Sequence, residues 1–439
     1  MDVDLRSFIS QADSGGYLIT VDREVDPYLE MARLAAELDG QPVLFNRVCG
    51  SAYRVLAGAC SDRRYFGLAL DTPADRLIFR LADALAEPQP PPLFDEGPCQ
   101  EVIDRSVDLA SIPFLTHWPH DGGAYASAAV AFVNDPDTGP NASFHRLLRL
   151  DERRLAARLV ERRGADTAWR KVALGDPPRS AAGLPVAICI GLPLQVLLAA
   201  SMSPAPGVDE LTIAQGLAPT PLVTCANGIR VPAQAEFVFE GRITRELVPE
   251  GPFVDLTGTY DFVRPQPVIE IDRITHRQDA VYQALLPGRL EHRLLMGMPR
   301  EPTIYAEVNK VARCLNVHVT PGGASWLHAV VQIDKRTPED GLRAIEAAYR
   351  GHGSLKHVVV VDGDVNIFDP NDVEWAIATR FQADRDLVVF EDQPSSSLDP
   401  SAKHMAGQKS RSAKMGLDAT IHWDTPAGPG EPEAYRRIW

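Results

Sequence analysis

Apolar positions recur at helical spacing over residues 25 to 40 and again over 72 to 87, with the compact run Pro42-Val43-Leu44-Phe45 between them. Two amphipathic helices flanking a buried strand predict a small α/β domain. It closes on Glu87-Pro88-Gln89-Pro90-Pro91-Pro92, a stiff stretch that marks a boundary or crossover. From about residue 110 to 300 the pattern changes to short apolar runs, Ala128 to Val133, Pro185 to Cys189 and Ala235 to Phe239, separated by Gly, Pro and Asp turns. Such spacing predicts a β-barrel or sandwich with helical insertions. Within it Gly183 to Val208 carries no charge, but Pro185, Gly191, Pro193 and Gln195 interrupt it, so it reads as a buried strand and short helix rather than a membrane span. The last third returns to helices, with Leu342 to Tyr349 stopping at Gly351, the strand His357 to Val361, and a second helix after Asp369-Pro370. That order predicts α/β units around a mostly parallel sheet. The stretch Thr425 to Pro432 is rich in Pro and Gly and reads as irregular.

One further helix is predicted over residues 152 to 163, with Asp151 as N-cap and Gly164 just beyond its C-terminal end. On it Leu155, Ala156, Leu159 and Val160 form the apolar side, and Arg163 falls near the middle of that side. An inward guanidinium needs a partner, and its geometry suits a phosphate. Upstream, Asn141-Ala142-Ser143-Phe144-His145-Arg146 leaves a turn as a strand, with Asn141 and Ser143 expected on one face and His145 on the other. An asparagine beside a turn is usually a turn residue, so Asn141 by itself is a weak signal. Asp209 and Glu210 fit the acidic N-terminus of a helix, and Glu210 with an amide oxygen from Asn141 also fits a hard divalent ion.

The candidate proton chemistry lies in Glu250-Gly251-Pro252-Phe253-Val254-Asp255, two carboxylates five residues apart on turn-like backbone. Solvated loop charge is the plain alternative, but Phe253 and the following Leu256-Thr257-Gly258-Thr259-Tyr260 point to a loop entering a buried strand. Apolar neighbours favour the protonated form of an acid, as a proton donor near neutral pH requires.

Composition narrows the partners. The 439 residues exceed one ordinary core, 45% are hydrophobic and 23% charged, and the net charge of −15 argues against general nucleic-acid or anionic-membrane binding. Anionic ligands must then be held by local basic clusters such as the arginines of 146 to 163. The six cysteines are scattered with no C-x-x-C pair, which fits reduced thiols in a cytoplasm, and the acidic start Met1-Asp2-Val3-Asp4 lacks the basic and apolar features of a signal peptide.

Taken in order, these segments resemble the UbiD family of reversible decarboxylases that use prenylated FMN. The resemblance runs from Ile112-Pro113 and Trp118-Pro119 through Asn141-x-Ser143-x-x-Arg146, Arg158-Leu159-Val160-x-x-Arg163-Gly164 and Pro204-x-Pro206 leading to Glu210. It continues through Glu250-Gly251-Pro252-Phe253-x-Asp255 to Lys414-Met415-Gly416-Leu417-Asp418. It implies an N-terminal α/β part (1–110), a central split β-barrel binding the flavin (111–300) and a C-terminal α/β part used in oligomerisation (301–439), as a homodimer or higher homo-oligomer. It implies Asn141 and Glu210 as Mn2+ ligands tethering the flavin phosphate, with K+ as a further candidate ion. Phe144, His145, Arg146, Arg158, Leu159, Val160, Arg163 and Gly164 would contact the cofactor. Arg146, Glu250 and Asp255 would form the catalytic group, with Asp255 the proton donor, acting on an aromatic or α,β-unsaturated acid. A flavin prenyltransferase would supply the cofactor. Val254 departs from the glycine of many relatives, and no His lies within 147–164. The competing readings are a non-catalytic flavin-phosphate-binding subunit, for which the paired acids would be superfluous, and a flavin reductase.

Overall fold

The computed structural model describes residues 3–405 and 408–422. Two compact units emerge, Met1–Leu295 and Met296–Trp439. The Pro/Gly-rich stretch 425–432 lies outside the described residues.

The first unit begins with α1 (Leu5–Ser14), β1 (Ile19–Val25), α2 (Glu30–Glu37), β2 (Val43–Val48), β3 (Arg54–Ala57), α3 (Arg63–Leu70) and α4 (Leu77–Ala86). As the pattern predicts, β2 is buried and central, parallel to β1 and antiparallel to β3. There follow β4 (Val102–Ile103), β5 (Tyr125–Ala126), β6 (Val130–Asp135), β7 (Gly139–Phe144), β8 (Leu147–Arg149), β9 (Arg154–Ala157), α5 (Gly164–Ala173), β10 (Leu184–Ile190), α6 (Leu194–Ser201) and α7 (Glu210–Leu217). After the hairpin β11 (Leu222–Thr224) and β12 (Arg230–Pro232) come β13 (Phe237–Glu250), β14 (Phe253–Val254), β15 (Tyr260–Asp261), β16 (Arg264–His276), β17 (Val281–Gln283) and α8 (Leu290–Gly297).

The central sheet runs β5-β8-β9-β16-β13-β10-β6-β7, with β4 on β16, and β17 joins β3 in the small N-terminal sheet. Its path is open rather than a closed barrel, within the expected mixed α/β multidomain class. The long strands β13 and β16 pair from Phe237↔His276 to Glu250↔Arg264 and carry the core residues Phe237, Phe239, Ile269, Ile271 and Ile274. The uncharged stretch is core as predicted through Met202, with every residue of α6 buried and only Pro185 of β10 not, but residues 203–208 lie at least partly exposed.

The helix expected over 152–163 does not form. Leu155 and Ala156 instead pair with Ile269 and Val268 of β16, and on the other side with Arg149 and Leu148 of β8. Asp151 accepts from the Arg153 and Arg154 amides, both at 2.9 Å, so its capping chemistry closes a hairpin turn rather than a helix. Helix α5 starts at Gly164, with Arg163 exposed at its N-cap, so Arg163 is not aimed into a core.

The second unit contains α9 (Glu301–Val308), β18 (Arg313–Val319), β19 (His328–Asp334), α10 (Asp340–Gly351), β20 (His357–Asp362), α11 (Pro370–Arg380), β21 (Leu387–Pro394) and β22 (Arg411–Asp418). Sheet order is β18-β19-β20-β22-β21. It is mixed rather than mostly parallel, since β19–β20 and β20–β22 are parallel but β18–β19 and β21–β22 are antiparallel. The connection 320–327 is too short for the crossover a parallel β18–β19 pair needs. No helix among the described residues is long and apolar enough to cross a membrane, and the six cysteines are free.

Candidate active site

Glu250 ends β13 with its side chain fully buried, which rules out solvated loop charge. Its two oxygens accept from Arg146 Nε and Nη2 at 2.9 and 3.0 Å, and Tyr125 donates its hydroxyl to Oε1 at 3.1 Å. Arg146 lies in the β7–β8 link, and Tyr125 on β5, so the central sheet brings three distant segments to one point. Phe253 is the floor: it lies 4.9 Å from the Arg146 guanidinium carbon and 4.6 Å from the Tyr125 ring. A bidentate pair on an aromatic face fixes the guanidinium plane and aims its remaining N–H groups.

One partner of Arg146 was not apparent in the sequence. Asp261, paired across the β14–β15 hairpin from Phe253, accepts from Arg146 at 3.1 Å and from Arg264 at 2.6 Å. Burial opposes its charge, but the Arg264 hydrogen bond and the Arg146 and Arg264 charges hold its carboxyl below the usual range. Arg158 approaches the same carboxylate only to 3.9 Å, so much of its charge stays available to an anion. Asp255 is half-buried in the following turn, where its carboxylate accepts from the Leu256 amide at 2.7 Å. It makes no hydrogen bond with Arg146 or Glu250, but its charge acts on both Arg146 and His292. His292 accepts at Nδ1 from the Gly288 amide at 3.1 Å, and burial pushes its pKa down.

Behind Arg146 the segment 117–123 abuts the Glu250 turn. The Gly122 amide donates to Pro252 at 2.8 Å, and a Cβ on Gly122 would stand 2.3 Å from the Gly251 carbonyl. Asp121 accepts from the His117 and Trp118 amides with one oxygen, while its other, buried oxygen has no partner among the described residues. Burial pushes this carboxyl up to about 6.

A second cluster joins β7 to α7. Asn141 donates its amide to Glu210 at 2.9 Å, and the Ala142 amide reaches the other Glu210 oxygen at 2.8 Å. Ser143 links Asn141, at 3.2 Å, to His145 Nε2, at 3.0 Å. His145 therefore joins the Asn141 side, against expectation, because residues 141, 143 and 145 share one parity along the strand. Its Nδ1 faces the Arg158 carbonyl at 2.9 Å and must carry the proton, leaving Nε2 an acceptor. Phe144 is half-buried, Leu159 buried and Val160 exposed, while Arg163 and Gly164 are exposed at the α5 N-terminus.

Profiles described as the N-terminal, Rift-related and C-terminal domains of 3-octaprenyl-4-hydroxybenzoate carboxy-lyase match residues 9–85, 93–290 and 293–419. The chain belongs to the UbiD family. It is 42% identical over 418 residues to an anhydromevalonate phosphate decarboxylase of Methanosarcina mazei, covering 94% of this chain and 95% of that one. A Methanocaldococcus jannaschii protein of the same name is 40% identical over 408 residues, with 92% and 94% covered. Among solved structures it is similar to the UbiD-class enzyme HmfF from Pelotomaculum thermopropionicum in complex with FMN, at a TM-score of 0.92, 38% identity and 99% and 97% coverage. An evolved dimeric form of HmfF in complex with prFMN gives 0.88, 36%, and 100% and 99%. The chain is thus a UbiD-type decarboxylase.

The second cluster carries groups that a phosphate and a divalent ion could use. Glu210 offers carboxylate oxygens and Asn141 an amide oxygen, which here faces Ser143 while its NH2 faces Glu210; both oxygens are of the kind hard divalent ions take. The α5 N-terminus stands against Asn141: a Cβ at Gly164 would lie 2.3 Å from Asn141 Oδ1, so the lack of a side chain there permits the close approach. Burial pushes Glu210 up to about 7, a carboxyl that a cation would stabilise in its charged form.

Proposed function

We propose that this chain carries out reversible non-oxidative decarboxylation of an α,β-unsaturated acid bearing a phosphate, with prenylated FMN and Mn2+ as cofactors. The substrate class follows the names of the Methanosarcina and Methanocaldococcus relatives, and the cofactor follows the prFMN-bound neighbour. The observation that carries the reading is the buried, bidentate Arg146–Glu250 pair with Asp255 nearby.

Bound prenylated flavin supplies the electron sink that an sp2 carbanion requires. Asn141 and Glu210 would hold the metal, and the α5 N-terminus with Arg163 would receive the flavin phosphate. Arg146, immobilised by Glu250 and Phe253, orients the substrate carboxylate with the N–H groups those partners leave. Asp255, outside the ion-pair network, gives its proton to the carbon that loses CO2 and recovers one from solvent. His292, kept neutral by burial, lies close enough to Asp255 to feel its charge. Arg158, whose nearest carboxylate is 3.9 Å away and already shared, suits a phosphate oxygen.

The test is co-production with a flavin prenyltransferase, followed by CO2 release from anhydromevalonate phosphate and its dephosphorylated analogue. Asp255→Asn should keep bound flavin and lose turnover. Full turnover in that variant, or absence of bound flavin in the unsubstituted protein, overturns the reading.

A further inference from the structure

The second unit contains a cavity of about 430 Å3 that the decarboxylase chemistry does not use. Its lining includes Glu346, Tyr349 and Arg350 on α10, Phe390 on β21, Lys409, and Lys414 on β22. Residues 346, 349 and 350 share one helix face. Its volume lies in the range of roughly 300–1,000 Å3 occupied by small-molecule sites.

Lys414 is the informative residue. It is only 6% exposed, its ammonium donates to the Gly353 carbonyl at 2.7 Å, and it lies 4.9 Å from the Tyr349 ring centroid. A carbonyl and a ring face solvate a cation without neutralising it. The other sequestered lysines of this unit each have a carboxylate: Lys356 has Asp399 at 3.0 Å and Lys335 has Asp418 at 3.8 Å. Among the described residues no carboxylate lies within 4 Å of Lys414. An ammonium withdrawn from water is expensive without a counter-charge. Burial first, and Lys409 second, push its amine down to about 8, which still leaves it cationic at neutral pH.

The lining therefore sets two lysines and Arg350 against one acid, Glu346, with Arg350 also 3.6 Å from Glu307. Tyr349 and Phe390, edge to face at 5.5 Å, give it an apolar wall. We propose that this cavity binds a small organic dianion, its charged head on Lys414 and Lys409 and its carbon body on Tyr349 and Phe390. A phosphomonoester and a short dicarboxylate share that chemistry.

The experiment uses the flavin-loaded enzyme, so that its phosphate site is already filled. Lysines are reductively methylated with formaldehyde and cyanoborohydride at pH 8, and each is quantified by peptide mass spectrometry in inorganic phosphate, in succinate, and in sodium chloride of equal ionic strength. Phosphate at ten times its half-saturating concentration slows labelling of Lys414 about tenfold against chloride. Protection by phosphate alone assigns the site to phosphate esters, protection by succinate alone assigns it to dicarboxylates, and equal protection by both supports a site for small dianions of either kind. In parallel, the rise in Tm with the protecting anion disappears in Lys414→Met while basal CO2 release stays unchanged. Labelling of Lys414 at the chloride rate in both anions, or an undiminished Tm rise in Lys414→Met, overturns the proposal. The labelling arm needs no variant to fold.

Discussion

Replacing Glu250 by Leu tests whether the pair at the centre of the site is held by mutual charge. Arg146 is 9% exposed at its side chain and Glu250 not at all, so the leucine leaves a guanidinium with little water to replace its partner. Breaking one side of a buried pair costs about 3–5 kcal/mol. Asp261 still accepts from Arg146 at 3.1 Å, which puts the expected loss near the lower limit, about 3 kcal/mol. Tyr125 also loses its acceptor, leaving only the Pro252 carbonyl at 3.5 Å. At about 2–4 °C per kcal/mol for large domains, Tm should fall by at least about 6 °C. Arg146→Met alone strands Glu250 in the same way, whereas the Arg146→Met/Glu250→Leu double variant replaces both charges by apolar groups and should recover most of the loss. Thermal and urea unfolding of the flavin-free proteins give the cycle, with an expected coupling of about 2–3 kcal/mol. Additive losses, or a single-variant loss below about 1 kcal/mol, would refute the idea that these two charges depend on each other.

Other substitutions probe the surrounding contacts. Tyr125→Phe removes a hydroxyl bonded to a carboxylate and should lower stability by about 1.5 kcal/mol in urea unfolding while preserving bound flavin. Gly164→Ala drives a Cβ into the Asn141 amide and should release Mn2+ and flavin phosphate, read by metal analysis and flavin absorbance, with circular dichroism unchanged. Asp121 has a folded pKa of about 6, above its unfolded value, so the stability it contributes is full below about pH 4 and is lost as pH rises through 6. Asp121→Asn should flatten that dependence, gaining on the unsubstituted protein by up to about 3 kcal/mol between pH 4 and 7. Parallel Tm-against-pH curves for the two proteins would refute the assignment.

The residues legible in the sequence were those whose chemistry is local. Asp369-Pro370 caps and opens α11, and the charge-free stretch is buried over residues 186–202, because capping and burial depend on near neighbours and composition. The segment 151–164 shows how a local signal misleads. An Asx turn and a helix N-cap use the same carboxylate-to-amide hydrogen bond, so Asp151 reads identically in both. What decides for the strand is pairing with residues 264–276, more than a hundred positions away, which buries Leu155, Ala156 and Ala157 together on both faces of a sheet. Gly164 repeats the lesson: its lack of a side chain serves the approach of Asn141 to the start of α5, not the end of a preceding helix. Glu250 was visible as half of a carboxylate pair, yet its role comes from Arg146, which reaches it across 104 positions, and from Asp261, which competes for the same guanidinium. The two acids of the Glu250–Asp255 loop thereby separate physically. One is consumed in an ion pair that fixes geometry, and the other stays outside that network, the condition a carboxyl must meet to exchange a proton during turnover.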